Sequence, residues 1–187
     1  MLKRLSGRFC KKANVHVLVL GLDNGGKSSL IQHFKPRTHQ DNMAFEATPT
    51  VGFKAEQFQV NKLSITCFDM SGQPRYRSLW EQYYIEAEAV IFVVDSSDRL
   101  RICVAKTELE MLLKHEDICS KPLPIIFFAN KMDIPGALTP LECSQQLELE
   151  RISDRPWHIA SSNGLTGAGI AEGMDWLASH ISPRGHK

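Results

Sequence analysis

The stretch Gly21-Leu22-Asp23-Asn24-Gly25-Gly26-Lys27-Ser28 decides how the rest of this 187-residue sequence is read. It follows an apolar run at residues 15–20 and precedes residues 29–34, which read as the start of a helix. A glycine-rich turn ending in Lys-Ser between a strand and a helix is typical of a phosphate-binding loop. Its backbone N–H groups can converge on phosphate oxygens beside a helix N-terminus. This context makes an accidental glycine-rich turn the weaker explanation, and the stretch predicts nucleotide binding.

Each residue type in the loop suggests a part in that binding. Lys27 is expected to bridge the β- and γ-phosphates as a compact cation, and the Ser28 hydroxyl is expected to bind Mg²⁺. The candidate phosphate-binding residues are Gly21, Asp23, Asn24, Gly25, Gly26, Lys27, Ser28 and Ser29.

Composition bounds the class of protein without naming it. The chain is 43% hydrophobic and 23% charged, with a net charge of +1, which suits one soluble domain and indicates no affinity for nucleic acid. The five cysteines are scattered without metal-ligand spacing, and there is neither a signal peptide nor an apolar run long enough to cross a membrane. We therefore expect a cytoplasmic monomer, or one bound to the cytosolic face of a membrane.

Residues 1–14 differ from the domain expected over residues 15–187. Leu2, Leu5 and Phe9 share one helical face, while basic residues fill most other positions, a pattern typical of an amphipathic helix on an anionic membrane. A solvated tail, or a helix packed on the domain, are the alternatives. Because Leu2 stands where N-myristoylation needs glycine, and no prenylation box ends the chain, no lipid anchor is expected.

Apolar runs alternating with helical patterns predict a mostly parallel α/β sheet with helices on both faces. One antiparallel edge strand is expected, because residues 53–60 and 63–69 read as a hairpin around Asn61-Lys62. Further strands are predicted at 89–95, 124–129 and 157–161. Helices are predicted at 79–86, 99–115 (with its leucines and Met111 on one face), 140–149 and 170–181.

Three short patterns follow the first helix in the order that a guanine-nucleotide switch requires. The Thr50 hydroxyl could complete Mg²⁺ coordination and touch a γ-phosphate, although most lone threonines only cap a turn. In Asp69-x-x-Gly72, the carboxylate could hold Mg²⁺ and the glycine N–H could meet the γ-phosphate. Gln73 is then the candidate catalytic residue, orienting the attacking water. The predicted metal ligands are Ser28, Thr50 and Asp69.

Asn130-Lys131-Met132-Asp133 predicts recognition of guanine. The Asp133 carboxylate can accept hydrogen bonds from guanine N1–H and the N2 amine, a donor pair that adenine lacks. Asn130 is expected to brace the phosphate loop, and the Lys131 stem to cover the base. Ala160-Ser161-Ser162 ends the last predicted strand, where a backbone N–H, of Ala160 or Ser161 above all, could reach guanine O6.

These residues resemble the Arf/Arf-like family of small GTPases. The resemblance covers nearly the whole chain and is carried by the following stretches: Gly21-Leu22-Asp23, Pro49-Thr50-Val51-Gly52-Phe53, Gly72-Gln73, Trp80 with Tyr83-Tyr84, residues 92–99 and residues 172–177. Within the family, residues 68–73 and 156–159 resemble the Arf-like branch that recruits the BBSome, a coat complex of cilia.

The resemblance implies the P-loop small-GTPase fold and a GTP/GDP switch with bound Mg²⁺. It also implies an exchange factor, a GTPase-activating protein, and an effector or coat that reads Phe53, Phe68 and Tyr83, with the protein on membranes at or near the cilium. Phe68 replaces the family's usual tryptophan. Ser71 replaces a usual glycine, and Pro74 restricts Gln73, so both bear on the catalytic pose.

Two alternatives within this family remain: a GTP-loaded adaptor with negligible hydrolysis, or another Arf-like trafficking regulator. An ATP-using kinase of the phosphate-loop class is disfavoured by Asn130 and Asp133.

Overall fold

The computed structural model describes residues 14–35, 48–61 and 63–181. The predicted amphipathic face of Leu2, Leu5 and Phe9 lies outside the described residues, as do residues 36–47 and Lys62 of the predicted hairpin turn. The membrane segment and the boundary at residue 14 therefore stay predictions.

The described residues form six strands and six α-helices. The strands are β1 (Asn14–Leu20), β2 (Phe53–Val60), β3 (Leu63–Met70), β4 (Ala89–Asp95), β5 (Ile125–Asn130) and β6 (Trp157–Ser161). The helices are α1 (Lys27–Gln32), α2 (Glu81–Tyr84), α3 (Ile102–Lys114), α4 (Glu116–Cys119), α5 (Pro140–Leu147) and α6 (Ile170–His180), with 3₁₀ turns at Pro74–Leu79 and Leu149–Arg151.

The strands form one sheet in the order β2-β3-β1-β4-β5-β6. Every neighbouring pair is parallel except β2 with β3, which is the predicted antiparallel hairpin. Asn61 in its turn has φ 54°, a left-handed conformation that asparagine tolerates. The predicted fold class is confirmed.

Helices cover both faces of the sheet. The central strands are apolar at nearly every position, since the side chains on both of their faces are buried. On one face, Leu18, Phe92 and Phe127 pack with α2, α3 and α5. On the other, Val17, Ile91 and Phe128 pack with α1 and α6.

Helix boundaries account for most differences from the sequence prediction. Helix α3 begins at Ile102 rather than Arg99, because the Asp98 carboxylate accepts a hydrogen bond from the Arg101 N–H (3.1 Å) and holds residues 98–101 in a turn. Met111 is 56% exposed, so it does not share the buried face of Leu109 and Leu112. The prediction missed the short helix α4. It extended α5 two residues too far, because Glu148 adopts φ 53° and ends that helix.

The predicted helix at 79–86 is shorter in the structure and starts later. Helix α2 covers only Glu81–Tyr84, and the residues before it form the 3₁₀ turn that Pro74 opens. Proline favours that first position since its φ is already helical and its missing N–H would have no partner there.

Gly173 sets how closely α6 approaches the sheet. A Cβ at this position would lie 2.5 Å from Cε1 of the fully buried Phe128 ring. We expect Gly173→Val to lower the free energy of unfolding by about 2 kcal/mol, since overpacking outweighs the small gain in helix propensity. Ala171→Val, on the exposed side of the same helix, should cost no more than about 0.5 kcal/mol. Urea unfolding of both variants measures the difference, and equal effects would contradict this packing.

Candidate functional site

The candidate residues gather at one edge of the sheet, where the parallel strands end. Gly21 follows β1, Asp69 lies near the end of β3, Asp95 ends β4 and Asn130 ends β5. Register places Asp95 directly beside Asn130. In open α/β sheets this edge is where ligands bind.

Two glycines allow the phosphate loop to pack tightly under this edge. Gly21 has φ 132°, and a Cβ there would lie 2.2 Å from the Val93 carbonyl oxygen. Gly26 has φ 90°, and a Cβ there would lie 2.3 Å from Asn130 Nδ2. A side chain at either position would force the loop away from β4 and β5.

Lys27 is held inside the loop that precedes it. Its ammonium donates to the carbonyl oxygens of Gly21 (3.0 Å) and Leu22 (2.8 Å), and the residue is only 6% exposed. Burial lowers the pKa of Lys27 to about 8, with the nearby carboxylates of Asp69 and Asp23 opposing that shift. An anionic phosphate beside the Lys27 ammonium would stabilise its positive charge and so oppose the effect of burial.

The three predicted metal ligands lie together. Ser28 Oγ donates to Asp69 Oδ2 (2.5 Å) and lies 3.1 Å from Thr50 Oγ1, which is 3.5 Å from the same carboxylate oxygen. The other oxygen, Asp69 Oδ1, is the one buried side-chain polar atom without a hydrogen-bond partner among the residues that the structure describes.

This cluster suits a hard divalent cation. Burial raises the pKa of Asp69 above its ordinary value, while the hydrogen bonds from Ser28 and Thr50 and the charge of Lys27 oppose the rise. An unpaired buried carboxylate oxygen beside two hydroxyls is an all-oxygen donor set, which Mg²⁺ prefers. The residues present therefore fit Mg²⁺.

The segment 71–80, here called the second switch segment, packs against the phosphate loop. A Cβ at Gly72 would lie 2.2 Å from Asp23 N, so the two backbones are in direct contact. Arg77 secures this contact: its guanidinium donates to Gly72 O (2.8 Å) and to Glu108 Oε1 on α3 (2.8 Å), and lies 3.5 Å from Asp23 Oδ1.

Ser71 links this segment to the first switch segment, residues 48–52. Its N–H donates to Gly52 O (2.9 Å), and its carbonyl accepts from the Trp80 indole (2.9 Å). Gln73 follows with an extended backbone (φ −66°, ψ 138°), as expected before proline.

A cavity of about 460 Å³ joins these parts. It is lined by both switch segments, the phosphate loop, Lys131 and Leu165; the predicted site residues among its lining are Asp23, Asn24, Gly26, Lys27, Ser28, Ser29, Thr50, Gly72, Gln73 and Lys131.

Asn130 joins the phosphate loop to the loop after β6 through its side-chain amide. Its Nδ2 donates to Gly25 O (2.9 Å), and its Oδ1 accepts from Gly164 N (2.9 Å) and Ser162 Oγ (3.2 Å). Lys131, with φ 65°, donates to Asp95 Oδ2 (2.6 Å).

Asp133, Ala160 and Ser161 lie outside the lining of that cavity. Asp133 and Ser161 are exposed, and Ala160 is half-buried. The sequence prediction included Ser162 only as a possible backbone donor and missed its buried hydroxyl, which donates to Asn130; it also missed Asp95, which anchors Lys131. Asp95 could have been found from its place at the end of a buried strand; Ser162 and Leu165 carry no such signal, because only the fold brings their loop beside Asn130.

Phe53, Phe68 and Tyr83 form one aromatic cluster. Their ring centroids are 4.8 Å apart for Phe53 and Tyr83, 5.2 Å for Phe68 and Tyr83, and 6.4 Å for Phe53 and Phe68. Phe53 is 41% exposed, so the cluster reaches the surface.

Comparison with known proteins identifies the family. Residues 1–181 match the family described as "ADP-ribosylation factor family". The chain belongs to the Arf family of small GTPases. It is therefore a GTP-binding protein and a GTP hydrolase.

Individual relatives agree with this family across their length. The chain is 53% identical to ADP-ribosylation factor-like protein 6 of Danio rerio over 171 residues, which cover 91% of this chain and 90% of the relative. It is 42% identical to the protein of the same name from Caenorhabditis elegans over 172 residues, 91% of this chain and 88% of the relative.

A solved structure shows the same fold. The Arl6 BBS3 small GTPase from Trypanosoma brucei, with the nucleotide analogue GppNp bound, superposes with a TM-score of 0.82 at 45% identity, over 90% of this chain and 99% of that one.

Asp69 gives a test of the metal cluster that separates binding from stability. Because its pKa is raised in the folded state, the folded protein binds more protons than the unfolded chain above the ordinary pKa of 3.8, and stability falls as pH rises through that window. At pH 7.5 we expect Asp69→Asn to make the nucleotide-free protein at least as stable as the wild type. The same variant should weaken Mg²⁺-dependent nucleotide binding at least about ten-fold.

Thermal unfolding without nucleotide, and nucleotide release with and without Mg²⁺, measure the two effects. Glu110→Gln, on the exposed side of α3, is the control and should change neither. Unaltered Mg²⁺ dependence in Asp69→Asn would show that the metal binds elsewhere.

Proposed function

We propose that this protein is a GTP/GDP switch that hydrolyses GTP slowly and, in its GTP state, associates with membrane and recruits an effector or coat. The observation that carries the proposal is the cluster of Ser28, Thr50 and Asp69. In this cluster Ser28 of the phosphate loop contacts Thr50, which lies in the first switch segment, and Asp69, which shortly precedes the second. A ligand that binds there acts on all three parts at once.

The phosphate end of the nucleotide is proposed to lie on the loop at residues 21–29. Lys27 would exchange its two backbone carbonyl partners for phosphate oxygens, and this would stabilise its charged form. Ser28, Thr50 and Asp69 would hold Mg²⁺, which when bound neutralises charge on the β- and γ-phosphates.

Hydrolysis is proposed to depend on Gln73, which would accept a hydrogen bond from the attacking water and orient it toward the γ-phosphate. The Gly72 N–H would meet a γ-phosphate oxygen, as its position against the phosphate loop allows. Without an arginine supplied by a partner, such sites work at about 10⁻⁴ s⁻¹. The proposal therefore includes a GTPase-activating protein, and an exchange factor to reload GTP.

Guanine is proposed to bind beyond Asn130. The exposed Asp133 would accept from N1–H and the N2 amine of the base, and the Lys131 stem, anchored by Asp95, would cover the base face. Ala160 and Ser161 would offer backbone N–H groups to O6.

The effector surface is proposed to be the aromatic cluster of Phe53, Phe68 and Tyr83 with the switch segments beside it. Phe53 directly follows the first switch segment, and Tyr83 lies in α2 just after the second. Nucleotide state can therefore alter the cluster through the segments that adjoin it.

The partner is proposed to be a BBSome-like coat, with the protein on the cytosolic face of membranes at or near the cilium. The similarity to ADP-ribosylation factor-like protein 6 and to the Arl6 BBS3 GTPase supports this choice. The helices that the structure describes are all too short or too polar to span a bilayer. Membrane binding is assigned to Leu2, Leu5 and Phe9.

A GTP-loaded adaptor with negligible hydrolysis is a second candidate, and one contact favours it. The Gln73 side-chain oxygen accepts from Arg75 Nε (3.1 Å), so the proposed catalytic group is engaged by a neighbour.

Nucleotide binding and cleavage separate these functions. We expect GTP and GDP with Mg²⁺ to bind at least about 10³-fold more tightly than ATP, because adenine offers neither of the two donors that the Asp133 carboxylate would accept from guanine. In single-turnover assays Gln73→Leu should cleave GTP about ten-fold more slowly than the wild type, since water orientation is lost. Equal rates for the two proteins would favour the adaptor, and ATP binding as tightly as GTP would contradict the guanine site.

The aromatic cluster gives a test of effector recruitment. Phe68→Ala should weaken binding of purified BBSome to the GppNp-loaded protein at least about ten-fold, because central aromatic residues dominate interface energies. Leu141→Ala, at an exposed apolar position on α5, is the matched control and should bind like the wild type. Unchanged binding by a folded, nucleotide-loaded Phe68→Ala would exclude this surface.

A further inference from the structure

We propose that Arg75 is a positioning residue that restrains Gln73, so that intrinsic GTP hydrolysis is slower than the site would otherwise allow. The inference rests on the proposed role of Gln73 in orienting water. It concerns a contact made by an exposed residue two positions further along the chain, outside the loop and metal cluster that would bind the nucleotide.

The backbone on either side of Gln73 is held first. The Gly72 carbonyl accepts from Arg77 Nε (2.8 Å), and the Gln73 N–H lies 3.4 Å from Ser71 Oγ. These two contacts hold both polar groups of the peptide between Gly72 and Gln73. Since Pro74 fixes the next φ and disfavours a helical Gln73, the main chain at Gln73 has little freedom.

The choice left to Gln73 is therefore the direction of its side chain. In the structure Oε1 accepts from Arg75 Nε at 3.1 Å. The guanidinium is itself placed, with Cζ 4.7 Å from the centroid of the Tyr76 ring, a cation–π arrangement. Gln73 lines the cavity whereas Arg75 is exposed and lies outside that lining, so the amide is held by a residue that is not part of the cavity wall.

The restrained atom is the one that the reaction needs. A glutamine that orients water uses its carbonyl oxygen to accept the water's O–H. A hydrogen bond from a charged donor competes for that oxygen and fixes the amide in one orientation. Reaching a water beside the γ-phosphate requires Gln73 to leave Arg75, which reduces the fraction of molecules ready to react.

A partner could release this restraint. Any protein that offers a carboxylate to the exposed Arg75 would draw the guanidinium away from Gln73. Activation of this kind needs no arginine inserted from the partner, and it would act on the same face that carries the second switch segment.

Single-turnover GTP cleavage by the full-length protein with Mg²⁺ tests the inference. Arg75→Ala should cleave about two- to five-fold faster than the wild type, a modest change because an exposed hydrogen bond contributes little. Arg151→Ala, which removes an exposed arginine remote from the cavity, is the control and should match the wild type.

The Gln73→Leu background shows whether Arg75 acts through Gln73. If it does, Arg75→Ala should change nothing in that background, since residues acting as a unit are not additive. A rate increase that persists without Gln73 would overturn the inference, as would an unchanged or lower rate in the Arg75→Ala single variant.

The same data separate this inference from the proposed function. Equal rates for Gln73→Leu, Arg75→Ala and the wild type would refute the catalytic role of Gln73 and the restraint with it. A lower rate for Gln73→Leu without a rise for Arg75→Ala refutes only the restraint. GDP affinity, measured in parallel, should be the same for Arg75→Ala and wild type, which distinguishes positioning from general damage to the site.

Discussion

The side-chain amide of Asn130 holds together the parts on which the site depends. It is 1% exposed and has hydrogen-bond partners on two loops, with the Gly25 carbonyl on one side and Ser162 and Gly164 on the other. Both ends of the amide are satisfied, so a substitution would leave a buried backbone group unpaired, which costs more than the bond itself contributes. The closeness of Gly26 to the same amide shows how little space remains.

A second constraint couples the nucleotide loop to the rest of the surface. Gly72 contacts the backbone of Asp23, and Arg77 joins that contact to Glu108 in α3. Asp23 also pairs with Arg101, at the start of the same helix (3.2 Å). Since these charged groups are shared, a shift of the second switch segment must alter the ion pairs along α3. A contiguous network of packed groups and ion pairs is the kind of connection through which a bound ligand can affect a distant surface.

Burial of charge at this site has a cost to folding that nucleotide would offset. Burial lowers the pKa of Lys27 and raises that of Asp69, so each group is held in surroundings that disfavour its charged form. A phosphate beside Lys27 and a cation beside Asp69 would reverse both effects. Charged groups whose surroundings disfavour their charge are typical of functional sites. Because bound nucleotide and metal would compensate these charges, we expect them to stabilise the folded protein.

Much of the fold could be predicted because its signals are local. The phosphate loop, the hairpin and the apolar strands depend on residue types within short windows, where glycine, turn residues and hydrophobic periodicity act directly on the backbone. Helix boundaries were predicted wrongly where a side-chain hydrogen bond sets the boundary, as Asp98 does before α3. The predicted face of Met111 was wrong because three-dimensional packing determines which residues of a helix are buried.

The sequence by itself determined which chemical groups are available to the site: the glycines and Lys27 of the loop, the hydroxyls of Ser28 and Thr50, and the carboxylate of Asp69. Only the tertiary structure decided which of them meet and what each has as a partner. Long stretches of chain separate Ser162 from Asn130, Asp95 from Lys131 and Arg77 from Asp23, and the Arg75 contact depends on the turn that Pro74 opens. The physical reason is that hydrogen bonds and burial are set by neighbours in space, which residue spacing along the chain does not specify.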